Sequence, residues 1–296
     1  MNVLVIGAGV LGQVVGDYIK ERGSGVSFYD SDPQKLTSES LSYTVPKADM
    51  VFFCVPSWTL REAVESVAPH LKENCPVVSF SKGIEESSLK TVPEILTELV
   101  PQFPIAVIGG PMLAGEIKLK QPAVAVIGSS DQALLIKLAV LFSSPVMRVE
   151  TFDDPHSVSL VGVLKNIYAV SLGIADGLEV SGNQKGWLVS QAVEEMVQTG
   201  KILGVKEEIV LGSAGVGDLV ATGFSKYSRN REIGHQIVQT GVCNLRGEGL
   251  SSLPGLIKRL GTDAQKFPLI QLIHTIGILC EPARENFTAF FNGEKR

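Results

Sequence analysis

The stretch Val3-Leu4-Val5-Ile6-Gly7-Ala8-Gly9-Val10-Leu11-Gly12 decides the fold. Four apolar residues run into glycines spaced G-x-G-x-x-G, and the chain beyond them, through Tyr18 and Ile19, carries helical periodicity. A strand that turns on glycines into a helix makes a phosphate cradle. Gly7 permits the tight turn, Gly9 lets the backbone approach a pyrophosphate, and Gly12 lets helix and strand pack closely. Asp30 ends the next apolar run, where a carboxylate can hold the hydroxyl pair of a ribose. An ordinary strand-to-helix turn carries similar glycines, so the strand before, the helix after and the acid beyond are what raise this motif above chance.

Working outward, the same theme repeats to about residue 150. Apolar runs at 3–6, 26–29, 50–55, 76–81, 105–108, 123–127 and 146–149 are each followed by Gly, Pro or Ser and then by a helical pattern. Continuous apolar runs without polar alternation belong to a sheet covered on both faces, so the expectation is an α/β doubly wound sheet of the Rossmann type over 1–150. After Thr151 the strand signal vanishes. Segments 156–178 and 183–203 show apolar residues at three- and four-residue spacing, which predicts an all-helical domain over 151–296.

The chain has 296 residues, with 26 Lys and Arg against 31 Asp and Glu, a net charge of -5. Nucleic acid and anionic membranes need a basic surface, and neither is expected as a partner here. No long apolar stretch is free of charge, so no membrane span is expected. Four cysteines, Cys54, Cys75, Cys243 and Cys280, stand far apart with no C-x-x-C pair, and free thiols in a reducing cytoplasm are the expectation. His70, His156, His235 and His274 show no metal-ligand spacing, and no metal is expected.

Several cations stand where packing alone would not put them. Lys82, in Ser-Lys-Gly, follows the run at 76–81 and so projects from the carboxyl end of a parallel strand, unless it is simply a solvated loop lysine. Lys165 shares a helix face with Val158, Val161, Gly162, Tyr168, Ala169 and Leu172. An ammonium on that stripe needs a carboxylate or ligand partner, and burial disfavours its charged form, as a proton donor requires. The plainer alternative is a lysine reaching out from the edge of the core. Asp218 and Thr222 lie four apart after Gly215-Val216-Gly217, and Asp218 either caps a helix or reaches Lys165. Ser228 reads as the N-cap of a helix, so that free N–H groups, the helix dipole and Arg229 converge on one point suited to a phosphate. A capped helix with solvated arginines is the rival reading.

Gly7 to Gly12, Val55-Pro56-Ser57, Ser81-Lys82-Gly83, Gly110-Pro111 with Ala114 and Glu116, Leu164-Lys165-Asn166, Gly217-Asp218-Leu219, Ser228-Arg229-Asn230-Arg231 and Glu248-Gly249 occur in an order that resembles the bacterial NAD(P)-dependent glycerol-3-phosphate dehydrogenases. The resemblance covers nearly the whole chain and is similar to the wider group of 6-phosphogluconate-dehydrogenase-like folds, a Rossmann domain joined to a helical one. It implies hydride transfer between NAD(H), or NADP(H), and dihydroxyacetone phosphate, with Lys165 as proton donor, Asp218 positioning it and Lys82 adding positive charge near the substrate oxygens. It also implies that Ser228, Arg229 and Asn230 hold the phosphate, with Gly110 at the substrate as well. Arg229 and Glu248 would lie near the cofactor, and Val10, Leu11 and Ala114 along its path.

The chain departs from that pattern in two places. The stretch between Asp32 and Asp49 is shorter than the family's, and Met112-Leu113 replace a small hydroxyl residue and an aromatic. Two other readings therefore stand beside the first: a reductase of another small carbonyl compound, and a dinucleotide-binding sensor without turnover. Retention of Lys165, Asp218 and Arg229 together argues against the sensor. Asp30, with Asp32 nearby and no arginine close in sequence, predicts a preference for NADH, although Asp32-Pro33 also reads as a helix N-cap. The sequence leaves the oligomeric state open, a homodimer included.

Overall fold

The structure is a computed structural model and describes residues 1–37, 40–242 and 246–294. The chain divides into two compact units, one of Met1–Lys82 with Lys90–Ser159 and one of Gly83–Leu89 with Leu160–Arg296.

The first unit is built on seven strands: β1 (Asn2–Ile6), β2 (Gly25–Tyr29), β3 (Met50–Phe53), β4 (Val77–Ser79), β5 (Ile105–Gly109), β6 (Ala123–Gly128) and β7 (Met147–Phe152). They lie in the order β2-β1-β3-β4-β5-β6-β7. Strands β1 to β5 are parallel, β6 runs antiparallel to β5, and β7 is parallel to β6. Central β1 and β3 are apolar on both faces because both faces are covered. Val5 stands opposite Phe28 on one side and Phe52 on the other. Below them, Phe52, Phe80 and Phe142 meet with ring centroids about 6 Å apart, a separation that favours aromatic pairs. The reversal at β6 has a local cause. Between β5 and β6 the chain makes only the five-residue helix Ala114–Lys118. Such a helix rises about 7.5 Å, too little to carry the chain back along a strand. Instead Gly110 turns with φ +91, and Val124 N–H donates to Pro111 O at 3.2 Å.

Among the described residues the second unit is helical. Its long members are Pro155–Gly177, which begins in the first unit, and Gly182–Ile202, Arg229–Thr240, Glu248–Leu260, Pro268–Gly277 and Ala283–Phe291. The start of Gly182–Ile202 is written in the sequence as a capping box, with Ser181 and Gln184 each bonding the other's backbone N–H. Helix Pro155–Gly177 is long and apolar enough to cross a membrane, and the apolar window that gives it that character is wholly buried within the protein. The segment Gly83–Leu89 is a strap on this unit. Ile84 N–H donates to Ser252 Oγ at 3.2 Å, Arg259 donates to Leu89 O at 2.7 Å, and a Cβ on Gly255 would stand 2.7 Å from Ile84.

Of the cysteines expected as free thiols, Cys54 and Cys75 are free, and burial pushes both thiols up, away from thiolate chemistry. Cys280 is disulfide-bonded, which corrects that expectation: distance along the chain is no measure of distance in a packed helical unit. Cys243 lies outside the described residues.

Candidate active site

The glycine turn sits at the carboxyl end of β1, and its three glycines differ in what they serve. Gly7 adopts φ +94, and a Cβ there would stand 2.8 Å from Cys54 O. A Cβ on Gly12 would come within 1.8 Å of Gly7 O, so the helix Val10–Glu21 could not seat on its strand. At Gly9 a Cβ would meet no protein atom within 4 Å. Protein packing therefore does not demand glycine at position 9, whereas a pyrophosphate lying against the backbone does. The helix it opens has no side-chain cap and no acid in its first turn, leaving its N–H groups and dipole for an anion. Val10 is 72% exposed at this edge, and Leu11 packs back against the core. A dinucleotide fits these residues.

Asp30 does more than the sequence suggested. Its Oδ2 accepts from Ala8 N–H at 2.6 Å, inside the glycine turn, and its Oδ1 from Asp32 N–H at 2.9 Å. Each carboxylate oxygen accepts about two hydrogen bonds, so capacity for a ribose hydroxyl remains. Asp32 proves to be the N-cap of the short turn Pro33–Lys35, accepting from Gln34 N–H. That turn brings Lys35 Nζ to 3.1 Å from Asp32, and the pairing holds the Asp32 carboxyl below its usual range.

Lys82 is half-buried, and its Cε lies 4.0 Å from where a Cβ on Gly109 would stand, at the carboxyl end of β5. Gly110 is buried and serves the β5–β6 turn. Ala114 opens the helix Ala114–Lys118, and Met112 packs against the apolar core of the first unit.

In the second unit, Lys165 is 5% exposed. Its Nζ donates to Thr222 Oγ1 at 2.7 Å and lies 3.0 Å from Asp218 Oδ1, while Thr222 donates to the same carboxylate oxygen at 3.0 Å. Asp218 is 2% exposed and opens its helix, Asp218–Phe224. The π-helical turn Ser213–Gly217 precedes it, and a Cβ on Gly215 would stand 1.9 Å from Val210 O. Asp218 and Thr222, one turn apart, thus present both groups on one helix face to the ammonium. Thr222 was visible in the sequence only as the hydroxyl four residues after the acid.

Ser228 caps helix Arg229–Thr240, accepting from Arg231 N–H at 3.2 Å. Arg229 is 53% exposed and pairs with Glu232 at 2.9 Å. Arg231 is tied to Asp176, which Lys185 also meets. Asn230 is buried, with Nδ2 donating to Asn166 Oδ1 at 2.9 Å and Oδ1 accepting from Gly249 N–H at 3.0 Å. Glu248 is half-buried at the first position of helix Glu248–Leu260.

One buried acid escaped the sequence reading. Glu195 accepts from Leu269 N–H at 2.6 Å, Ile270 N–H at 3.1 Å and Tyr168 OH at 3.2 Å, tying three helices. Burial pushes its carboxyl up to about 7 against those hydrogen bonds, and burial together with the Glu195 charge raises Tyr168. The signal was its place on the stripe Leu188, Ala192, Glu195, Met196 and Thr199.

The family described as NAD-dependent glycerol-3-phosphate dehydrogenase matches in two parts, its N-terminus over residues 33–135 and its C-terminus over 154–284. The glycine turn lies before the first match, so its fit to a dinucleotide is independent of it. Over 320 residues the chain is 30% identical to a glycerol-3-phosphate dehydrogenase (NAD(P)+) of Geobacter sp. (strain M21), covering 96% of this chain and 95% of that one. A second such enzyme, from Sphingopyxis alaskensis, is 34% identical over 230 residues, 75% of this chain and 69% of that one. The crystal structure of glycerol-3-phosphate dehydrogenase from Coxiella burnetii shares the fold, with a TM-score of 0.89 at 23% identity over 98% of both chains. With both halves matched and a relative aligned almost end to end, this chain belongs to the NAD-dependent glycerol-3-phosphate dehydrogenase family.

Proposed function

We propose that this protein reduces dihydroxyacetone phosphate to glycerol 3-phosphate, reversibly, at the expense of NAD(P)H. A nicotinamide, when bound, supplies the hydride for the carbonyl carbon. Everything else falls to the chain's own residues. The observation that carries the reading is the buried group of Lys165, Thr222 and Asp218. Removing an ammonium from water is costly unless it is paired, and this pairing also aims it. In the forward direction Lys165 gives a proton to the oxygen of the reduced carbonyl, and Asp218 with Thr222 holds its Nζ in place. In the reverse direction Lys165 takes that proton back.

Ser228, Arg229 and Asn230 are the phosphate ligands in this proposal, Asn230 on the strength of the resemblance, since the helix start and its guanidinium offer the charge-assisted hydrogen bonds that phosphate oxygens accept. Lys82 adds a second cation for the substrate oxygens, and Gly110, Ala114 and Glu248 keep their assigned contacts, on the strength of the resemblance alone. The glycine turn, Val10, Leu11 and Asp30 hold the dinucleotide. Residues 1–150 thus bind cofactor and 151–296 carry the proton donor and the phosphate site, in a cytoplasmic enzyme that a homodimer would suit.

The test is NADH and NADPH oxidation against dihydroxyacetone phosphate and a panel of phosphorylated and unphosphorylated ketones. Dihydroxyacetone phosphate should give the highest kcat/KM. Lys165→Met, which keeps the stem and removes the charge, should lower kcat by about 10²–10⁴-fold with cofactor affinity unchanged. Near-normal turnover in that folded variant removes Lys165 from the mechanism, and another ketone in first place moves the substrate.

A further inference from the structure

The motif Ser228-Arg229-Asn230-Arg231 holds two arginines, and only the first is assigned to the phosphate. Arg231 turns elsewhere. Its Nε donates to Asp176 Oδ2 while Lys185 Nζ pairs with Asp176 Oδ1, so each carboxylate oxygen meets one cation. Asp176 is an acid in the last turn of Pro155–Gly177, Lys185 a cation in the first turn of Gly182–Ile202, and Arg231 a cation in the first turn of Arg229–Thr240. Each stands at the helix end whose dipole disfavours its charge, so the three are accounted for by their pairing and not by their own helices. The backbones of the helices carrying Asp176 and Arg231 also touch. A Cβ on Gly173 would stand 2.0 Å from Arg231 O, and one on Gly234 would stand 2.1 Å from Val170 O. Such a crossing cannot be compressed, but by itself it lets one helix rock on the other. The Arg231–Asp176 pair and a hydrogen bond from Gln239 Nε2 to Gly177 O at 3.3 Å oppose that rocking. One of the two helices carries Lys165, and the other begins at Ser228-Arg229. Arg229 comes five residues before Gly234, so turning its helix by about 10° about the crossing moves the helix start by roughly 1 Å.

We propose that Arg231 is a positioning residue: through Asp176 it holds the start of helix Arg229–Thr240 at a set distance from Lys165 Nζ, so that the protein selects ketones by the number of bonds between carbonyl and phosphate. The inference rests on the reading of the site as a reductase of dihydroxyacetone phosphate, and adds to it the feature that measures the substrate. Binding energy from a phosphate speeds the reaction only when the carbonyl tethered to it arrives in line with the proton donor. Arg231 itself touches no substrate atom in this role.

Two variants break the pair from either side: Arg231→Met keeps the stem and removes the charge, and Asp176→Ala removes the acceptor. Both should fold and bind NADH as the wild type does. Both should lose about 10–100-fold in kcat for dihydroxyacetone phosphate, the range for a misplacement of about 1 Å, with a smaller change in KM. Unphosphorylated dihydroxyacetone, which makes no use of the phosphate anchor, should keep its wild-type kcat/KM. The preference for dihydroxyacetone phosphate over its homologue with one more methylene between carbonyl and phosphate should shrink. Arg231→Lys, which keeps the charge, should recover part of the loss, and the double variant should be no worse than either single one. An arginine that touched the phosphate would instead raise KM, and Asp176→Ala would not reproduce its loss. Wild-type kcat in folded Arg231→Met, equal losses on the phosphorylated and unphosphorylated ketones, or additive losses in the double variant overturns the proposal. Should Arg231→Met fail to fold, Asp176→Ala decides it by the same readings. A wild-type protein that reduces no phosphorylated ketone overturns the reductase reading and this inference with it, whereas an active wild type with unmoved variants overturns this inference alone.

Discussion

Glu195 makes the stability of this protein fall as pH rises through neutrality. Its carboxyl sits at about 7 in the fold against 4.5 for an unburied glutamic acid. Between those values the native chain holds a proton that the unfolded chain has released, so folding is favoured below pH 4.5 and loses ground as pH climbs through 7. At about 1.4 kcal/mol per tenfold change in proton affinity, the full effect is on the order of 3 kcal/mol. That is a sizeable share of the roughly 5–15 kcal/mol that holds a typical domain together. Glu195→Gln removes the titration while keeping one oxygen for Leu269 or Ile270 N–H, and it carries a constant penalty for the acceptor it loses. Urea unfolding of both proteins, from about pH 4.5 to about pH 8, isolates the term, because every other titrating group cancels in the difference. The advantage of wild type over Glu195→Gln should shrink by about 3 kcal/mol across that window. A flat difference would mean that the backbone donors of Leu269 and Ile270 hold Glu195 ionised throughout, and the reasoning fails.

The glycine turn separates fold from ligand. Gly9→Ala should unfold at the wild-type temperature yet bind NADH at least about tenfold more weakly, whereas Gly12→Ala, with its Cβ inside van der Waals contact of Gly7 O, should be grossly destabilised. Equal NADH affinity in Gly9→Ala, measured by fluorescence titration, would move the pyrophosphate elsewhere. Arg229→Ala should cost at least about tenfold in kcat/KM for phosphorylated ketones and far less for unphosphorylated ones, and an equal loss would make Arg229 structural. NADH should be preferred to NADPH because Asp30 repels a 2′-phosphate, and Lys35→Ala should widen the gap by removing the cation beside Asp32. A higher kcat/KM with NADPH would show that Asp30 serves only the backbone of Ala8 and Asp32.

The seven strands were legible because each is a short apolar run, and a run without polar alternation means burial on both faces. The direction of β6 was not, since no residue of 123–128 encodes it; the five-residue helix before it does, through its length. The long helices at Pro155–Gly177 and Gly182–Ile202 were readable to within a few residues from their spacing, and Ser228 from its capping chemistry. Lys165 stood out as a charge on an apolar stripe. Glu195 carried the same signal, and the sequence analysis did not single it out. What no pattern could supply was pairing at a distance: the meeting of Lys165 with Thr222, or of Asn166 with Asn230, depends on how helices cross and not on any local preference.

The strap at Gly83–Leu89 limits how this chain can be taken apart. A gene cut after Ser159 would release a C-terminal fragment lacking the donor for Ser252 Oγ, the acceptor for Arg259 and the side chain that fills the space above Gly255. The same cut would leave the N-terminal fragment carrying seven residues that belong to the other unit. Neither half is a clean module. Exchanging cofactor-binding halves between relatives therefore calls for two graft points around the strap as well as the one at Ser159, and a linear fusion at a single junction splits a unit that folds from two separate pieces of sequence.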